Sequence, residues 1–190
     1  MDGGLVNRRL AQGFDGDAAR HPREAVEAVV ALGANLGDRA ETMTAAIKDL
    51  ARVPLVDAVR VSEPIESVAL KPEGPDASAP AYLNAVAILT TRLAPSVLLG
   101  YLHAIEQRHG RVRSVARSAR EGGWEDRTLD LDLIAYGDVV SDDPRLLLPH
   151  PRAAERDFVL GPWLAVDPDA VLPGAGRVDE ALRRLRTEGR

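Results

Sequence analysis

The sequence predicts an α+β fold: a ferredoxin-like β-α-β-β-α-β core, an antiparallel sheet with helices packed on one face, and extra C-terminal elements. Three observations carry this. Four short segments rich in Val, Ile, Leu and Thr read as strands, two longer segments repeat apolar residues at helical spacing, and the two kinds follow one another in that order. The chain of 190 residues, 45% hydrophobic and 28% charged, is long enough for one domain with its own core.

Residues 1–27 mix Gly, Asp and Arg without a sustained period and read as an N-terminal extension or linker with a short helix around Glu24; residues 28–190 form the domain. The run Ala28-Val29-Val30-Ala31-Leu32-Gly33, ended by glycine, suits a buried strand. Asp38 followed by Glu41 is a capping pattern, and Met43, Ala46, Ile47 and Leu50 then mark a helix from about Arg39 to Arg52. Val56–Ser62 is the second strand. Pro64–Pro80, with four prolines and Gly74, reads as a long loop of the kind that often carries function. Tyr82–Thr91 is the third strand. Pro95 occupies a first-turn position, Val97, Leu98, Tyr101, Leu102 and Ile105 form an apolar stripe, and Gly110 ends the second helix. Thr128–Tyr136 alternates as the fourth strand, and short helices near Arg152–Arg156 and Asp179–Leu185 complete the chain.

Composition excludes several classes. The chain has no cysteine, so disulfides, thiolate metal sites and thiol nucleophiles are out. It shows neither an apolar run of membrane-spanning length nor a secretory leader, so a cytoplasmic protein is expected, with no membrane partner. A net charge of −5 argues against nucleic acid as a partner. The segment from Arg108 to Arg127 runs against that balance, with six arginines and three acidic residues.

The sharpest local signal is Arg127-Thr128-Leu129-Asp130-Leu131-Asp132-Leu133. Residues two apart in a strand share a face, so Asp130 and Asp132 project together while the leucines face the core. Two carboxylates whose Cα atoms lie roughly 6–7 Å apart suit Mg²⁺ shared with substrate phosphates; a solvated acidic strand face is the plain alternative. Arg111, Arg113 and Arg127 feed into this strand, and cations beside a carboxylate pair are what a polyphosphate requires. A solvated basic loop is the plain alternative for these arginines; Arg145, His150 and Arg156 in the next loop could extend the same anion site, though each alone reads as a surface residue. Phosphate-binding P-loop and dinucleotide patterns are missing; Gly33-Ala34-Asn35-Leu36-Gly37 reads as a simple strand-to-helix connection. Tyr82, Trp124 and Phe158 lie beside loops, where aromatic rings can stack on a flat heterocycle or simply pack.

Together, Ala31-Leu32-Gly33-Ala34-Asn35-Leu36-Gly37-Asp38, Tyr82-Leu83-Asn84-Ala85, Gly110-Arg111-Val112-Arg113, Arg127-Thr128-Leu129-Asp130-Leu131-Asp132 and Leu148-Pro149-His150-Pro151 resemble, in order, the 6-hydroxymethyl-7,8-dihydropterin pyrophosphokinase family over about Ala28 to Pro173. The resemblance implies an enzyme that transfers pyrophosphate from ATP to the pterin hydroxymethyl oxygen and releases AMP, for folate biosynthesis. It implies two Mg²⁺ ions on Asp130 and Asp132, and catalytic arginines at Arg111, Arg113 and Arg127. Glu106, Arg111, Arg113, Arg145, His150 and Arg156 would contact ATP. Ser67, Leu70, Tyr82, Asn84, Trp124 and Phe158 would line the pterin site, with Tyr82 and Phe158 sandwiching the ring and Asn84 bonding its edge. The implied state is a monomer, with a link to dihydroneopterin aldolase or dihydropteroate synthase; residues 1–27 would be a former linker to the former. The chain departs from the family pattern at Ile65-Glu66-Ser67-Val68-Ala69, at Gly123-Trp124-Glu125-Asp126-Arg127, and in about six additional residues between Arg113 and Trp124, where Arg117 and Arg120 lie. Two other classes compete. An RNA-binding module would present aromatics where this sheet presents Asp130 and Asp132; a regulatory protein that binds nucleotide without turnover is separated by an AMP-release assay.

Overall fold

The computed structural model describes residues 24–71, 74–76, 80–110 and 128–188. The elements are β1 (Val26–Ala34), α1 (Arg39–Leu50), β2 (Val56–Val61), β3 (Ile65–Ser67), β4 (Ala69–Lys71), β5 (Gly74–Asp76), β6 (Tyr82–Thr91), α2 (Pro95–Arg108), β7 (Asp130–Tyr136), β8 (Ser141–Asp143), β9 (Leu146–Leu148), α3 (Asp157–Val166), β10 (Val171–Leu172), β11 (Gly176–Arg177) and α4 (Val178–Glu188). The main sheet runs β2-β6-β1-β7, with β3 also pairing with β6, and every neighbouring pair is antiparallel. Each helical crossover, β1-α1-β2 and β6-α2-β7, therefore skips one strand, which is the ferredoxin-like order the sequence predicts.

The central strands explain why their sequences are almost continuously apolar. On one face Ala28, Val30 and Leu32 of β1, Ala85, Ala87 and Leu89 of β6, and Leu131 and Leu133 of β7 pack with Met43, Ala46 and Leu50 of α1 and Leu98, Leu102 and Ile105 of α2. Asp38 caps α1 as its spacing predicts, its Oδ1 accepting the Glu41 N–H at 2.9 Å. Val97 belongs to the predicted stripe of α2 but is 48% exposed; its position leans away from the i, i+4, i+7 line of Leu98, Leu102 and Ile105.

The other face corrects the expectation of helices on one side only. Val29, Val86, Ile88, Ile134 and Ala135 are covered by Val159, Leu160 and Trp163 of α3 and by Val178, Ala181 and Leu182 of α4. The predicted helix near Arg152–Arg156 is a single 3-10 turn, Ala153–Glu155, and the helix that does the covering, α3, follows it. Its apolar residues show no helical stripe, and Pro162 stands inside it, which hides it from a pattern search. The long loop holds the short strands β3, β4 and β5. Strand β1 opens at Val26, two residues before the predicted run, and Glu24 is not helical.

Candidate functional site

The site is built on the second sheet face, beyond the end of α3. Across the sheet, Gly33 of β1 is level with Asn84 of β6 on one side and Asp130 of β7 on the other. One step along, Ala31 is level with Val86 and Asp132. Level with these polar residues the middle strand thus contributes Ala31 and Gly33, and the polar groups rise on either side of a low floor. A side-chain carbon at Gly33 would meet Asn84 Oδ1 at 3.5 Å and Asp130 Cβ at 4.0 Å. The sequence reading assigned Gly33 to a connection; its place between these two residues becomes visible only once the register is known. With strands about 4.8 Å apart, Asn84 and Asp130 stand roughly 10 Å from each other.

Asn84 is 5% exposed, and its Nδ2 donates to Ser67 Oγ at 2.8 Å. Ser67 is level with Tyr82, and Tyr82 shares the Asn84 face by strand alternation. Arg39, the first residue of α1, fixes this edge: its Nη1 donates to Ala81 O at 2.6 Å and its Nη2 to Glu66 Oε1 at 2.9 Å. No periodicity argument singles Arg39 out. Leu70 lies in β4, level with Pro75.

On the other flank, Asp132 Oδ2 accepts from Arg156 Nη1 at 2.9 Å and lies 4.0 Å from His150 Nε2. The guanidinium carbon of Arg156 sits 5.9 Å from the centre of the Phe158 ring. Two main-chain contacts hold His150: its N–H donates to Ile134 O at 2.8 Å, and its Nδ1 accepts from the Arg152 N–H at 3.1 Å. Ile134 is the extra residue where the β1–β7 register shifts, so the irregularity presents the carbonyl that seats the histidine. With Nδ1 accepting, the neutral ring carries its proton on Nε2, toward Asp132. Burial lowers the His150 pKa, with Asp132 pulling the other way and Arg156 adding to the lowering.

The structure brings Ser67, Tyr82, Asn84, Asp130, Asp132, His150, Arg156 and Phe158 onto or beside this face. Glu106 is fully buried in α2, and its Oε1 accepts the Leu131 N–H at 2.9 Å, the peptide between the two aspartates. Arg145 projects from the turn after β8 with its side chain 89% exposed, held by Asp143 at 2.9 Å; that guanidinium's hydrogen bonds keep the Asp143 pKa at about 2. Arg111, Arg113, Trp124 and Arg127 lie outside the described residues.

No cluster of three or more His, Cys, Asp and Glu side chains suited to a metal occurs among the described residues. Asp130 and Asp132 nevertheless fit Mg²⁺, which typically takes one or two carboxylates and fills the rest of its octahedron from phosphates and water. Hard carboxylate oxygens are the appropriate donors.

A carboxylate pair, an adjoining guanidinium and an aromatic ring on a ferredoxin-like sheet suit a transferase acting on a polyphosphate. The comparisons are more specific. Residues 29–168 match the model of the 7,8-dihydro-6-hydroxymethylpterin-pyrophosphokinase family, and the chain belongs to that family. The 2-amino-4-hydroxy-6-hydroxymethyldihydropteridine pyrophosphokinase of Pseudomonas aeruginosa is 41% identical over 160 residues, 84% of this chain and 92% of that protein. The enzyme of the same name from Synechocystis is 40% identical over 156 residues, 82% of this chain and 74% of its own length. Among solved structures, an HPPK-DHPS in complex with substrates superposes with a TM-score of 0.64 at 11% identity, over 88% of this chain and 44% of that one. A Plasmodium falciparum HPPK-DHPS superposes at 0.61, also at 11% identity, over 88% of this chain and 45% of that one. These last two show the shared fold. The chain is an enzyme of the pyrophosphokinase class, and among the described residues no helix is long and apolar enough to cross a membrane.

Proposed function

We propose that this site transfers pyrophosphate from ATP to the hydroxymethyl oxygen of 6-hydroxymethyl-7,8-dihydropterin, releasing AMP and supplying the pterin pyrophosphate for folate biosynthesis. The observation that carries the reading is the level row of Asn84, Gly33 and Asp130. A buried amide at one end suits the hydrogen-bonding edge of a flat bicycle, the bare glycine leaves room for the ring, and the carboxylates at the other end lie where a one-carbon arm would reach. Tyr82 and Phe158 stack on the ring, Asn84 and Ser67 bind its edge, and Leu70 and Trp124 complete its enclosure. Arg145, His150 and Arg156 bind the phosphates, with Arg111, Arg113 and Arg127 as the catalytic cations. Glu106 acts through the strand it holds.

Asp130 and Asp132 would hold Mg²⁺, two ions in this reading, and the metal when bound would neutralise phosphate charge and polarise the bond being broken. The residues themselves do the positioning. Asn84 fixes the ring in its plane, and Phe158 fixes its face. The arginines meet the charge that develops on the transferred group, in a site partly shielded from water. A cytoplasmic monomer that works beside, or is linked to, dihydropteroate synthase or dihydroneopterin aldolase completes the proposal.

The deciding experiment incubates the purified chain with ATP, Mg²⁺ and hydroxymethyldihydropterin and separates the nucleotides. AMP appearing in step with pterin pyrophosphate is the expected result; ADP as product, or no turnover with both substrates bound, overturns it.

The pterin slot has its own test by calorimetric titration. Phe158→Ala should weaken pterin binding by roughly 1–3 kcal/mol, the usual worth of one base–aromatic stack. Gly33→Ala should also weaken it, since the added methyl occupies the floor, while its 3.5 Å approach to Asn84 Oδ1 is an ordinary contact that leaves the fold intact. Nucleotide affinity should barely change in either variant. The reverse pattern places the pterin elsewhere.

A further inference from the structure

We propose that Arg156 is an internal counter-ion that occupies the metal site's carboxylate until polyphosphate arrives, so that a divalent metal and the nucleotide enter together. The inference rests on the reading of Asp130 and Asp132 as the metal carboxylates. Arg156 Nη1 is 2.9 Å from Asp132 Oδ2, with the arginine side chain only 17% exposed. Among the described residues the other base facing Asp132 is His150, whose Nε2 stands farther off, at 4.0 Å. The permanent cation on this carboxylate is thus a guanidinium, which does not shed its charge at any physiological pH.

Two features show that this arrangement is poised for a further partner. Arg156 Nε is buried without a hydrogen-bond partner, so the guanidinium has donor capacity that Asp132 does not use. Arg156 also stands immediately before α3, whose first turn carries Phe158, and its guanidinium carbon lies 5.9 Å from that ring. Any shift of the guanidinium away from Asp132 is therefore felt at the aromatic face.

The charge consequence is direct. A metal ion arriving alone at Asp132 must either displace Arg156 from this carboxylate or sit beside a fixed positive charge. Arriving with a polyphosphate, it brings anionic oxygens that take over the guanidinium, and both cations end with counter-charges. Metal affinity and nucleotide affinity are then coupled through one side chain, and the coupling is reciprocal.

The test uses Mn²⁺ alone as the probe. Free Mn²⁺ is followed by electron paramagnetic resonance during titration of the full chain, with no nucleotide present, for the wild type, Arg156→Gln, Asp132→Asn and the double variant. Arg156→Gln should bind Mn²⁺ at least about tenfold more tightly than wild type, within the usual range of such couplings. That gain should vanish in the double variant. With a non-hydrolysable ATP analogue added, Mn²⁺ affinity should rise strongly for wild type and much less for Arg156→Gln. Unchanged Mn²⁺ affinity in Arg156→Gln, or a gain that survives Asp132→Asn, overturns the proposal. Arg156→Lys, which keeps the charge, should behave like wild type, and tight Mn²⁺ binding by it would equally overturn the proposal. Folding of each variant is checked by thermal unfolding; should Arg156→Gln not fold, Arg156→Met takes its place. The metal assignment itself fails separately, if Asp130→Asn and Asp132→Asn both keep full turnover.

Discussion

Asp130→Asn and Asp132→Asn should each lower kcat by well over about a hundredfold, because residues that merely orient a metal ligand already account for 10–100-fold. The two side chains leave the same face of β7, and the chain supplies no further cluster of metal-ligating groups among its described residues. Asparagine keeps the volume and one acceptor oxygen but loses the negative charge a hard divalent cation demands. The fold should survive, since neither carboxylate belongs to an apolar cluster and the leucines between them keep their places. Asp132→Asn carries an additional small cost, as Arg156 then keeps only a neutral acceptor. The measurements are AMP release at saturating ATP and pterin, and thermal unfolding in parallel. Full activity in both variants removes the metal site from this strand; lost activity with lost folding in both is answered by repeating the assay on Asp→Glu variants, which keep the charge.

The sequence carried the β-α-β-β-α-β order because each core element buries a face of its own periodicity. Leu129, Leu131 and Leu133 announce a half-buried strand, and Asp130 and Asp132 are legible from the same alternation. Asp38 with Glu41, and Pro95 with Gly110, mark helix ends through local chemistry that needs no tertiary context. What escaped has a physical reason in each case. Helix α3 is covered by the sheet and by α4, so it shows neither an apolar stripe nor a polar face, and Pro162 argues against it. The missing α3 led directly to the expectation of a sheet with one bare side. The role of Gly33 depends on the register of three strands, and that of Arg39 on a contact to Ala81 forty-two positions away. The seat of His150 depends on the register shift at Val29/Val30. Pairings between distant segments leave no periodic trace in either partner. Resemblance to a family supplied what periodicity could not, the grouping of Tyr82, Asn84, His150, Arg156 and Phe158, and the geometry brings these to one face.

Glu106→Ala should destabilise the protein by about 2–4 kcal/mol and slow turnover in the fraction that remains folded. Glu106 is a fully buried charged residue type, on the inner face of α2 among Leu102 and Ile105. Its Oε1 accepts the Leu131 N–H at 2.9 Å. Among the described residues strand β7 ends the main sheet, with β1 its one partner there, so this side chain takes up a main-chain donor that the ladder does not use. Truncation leaves that donor buried and unpaired, which costs about 1–3 kcal/mol; the lost methylene adds about 0.8 kcal/mol. The consequence for function follows from position, since Leu131 is the residue between Asp130 and Asp132. A β7 no longer tied to α2 at that peptide presents its two carboxylates with less fixed spacing, and a 1 Å misplacement is enough to cost on the order of a hundredfold in rate. Glu106→Gln keeps an oxygen for the Leu131 N–H and should recover most of both losses. Chemical denaturation gives the stability change, and kcat measured well below the unfolding transition gives the positioning effect. An alanine variant that loses stability but turns over at the wild-type rate would confine Glu106 to the fold, whereas a glutamine variant as slow as alanine would show that its charge, rather than its hold on Leu131, is what the site uses.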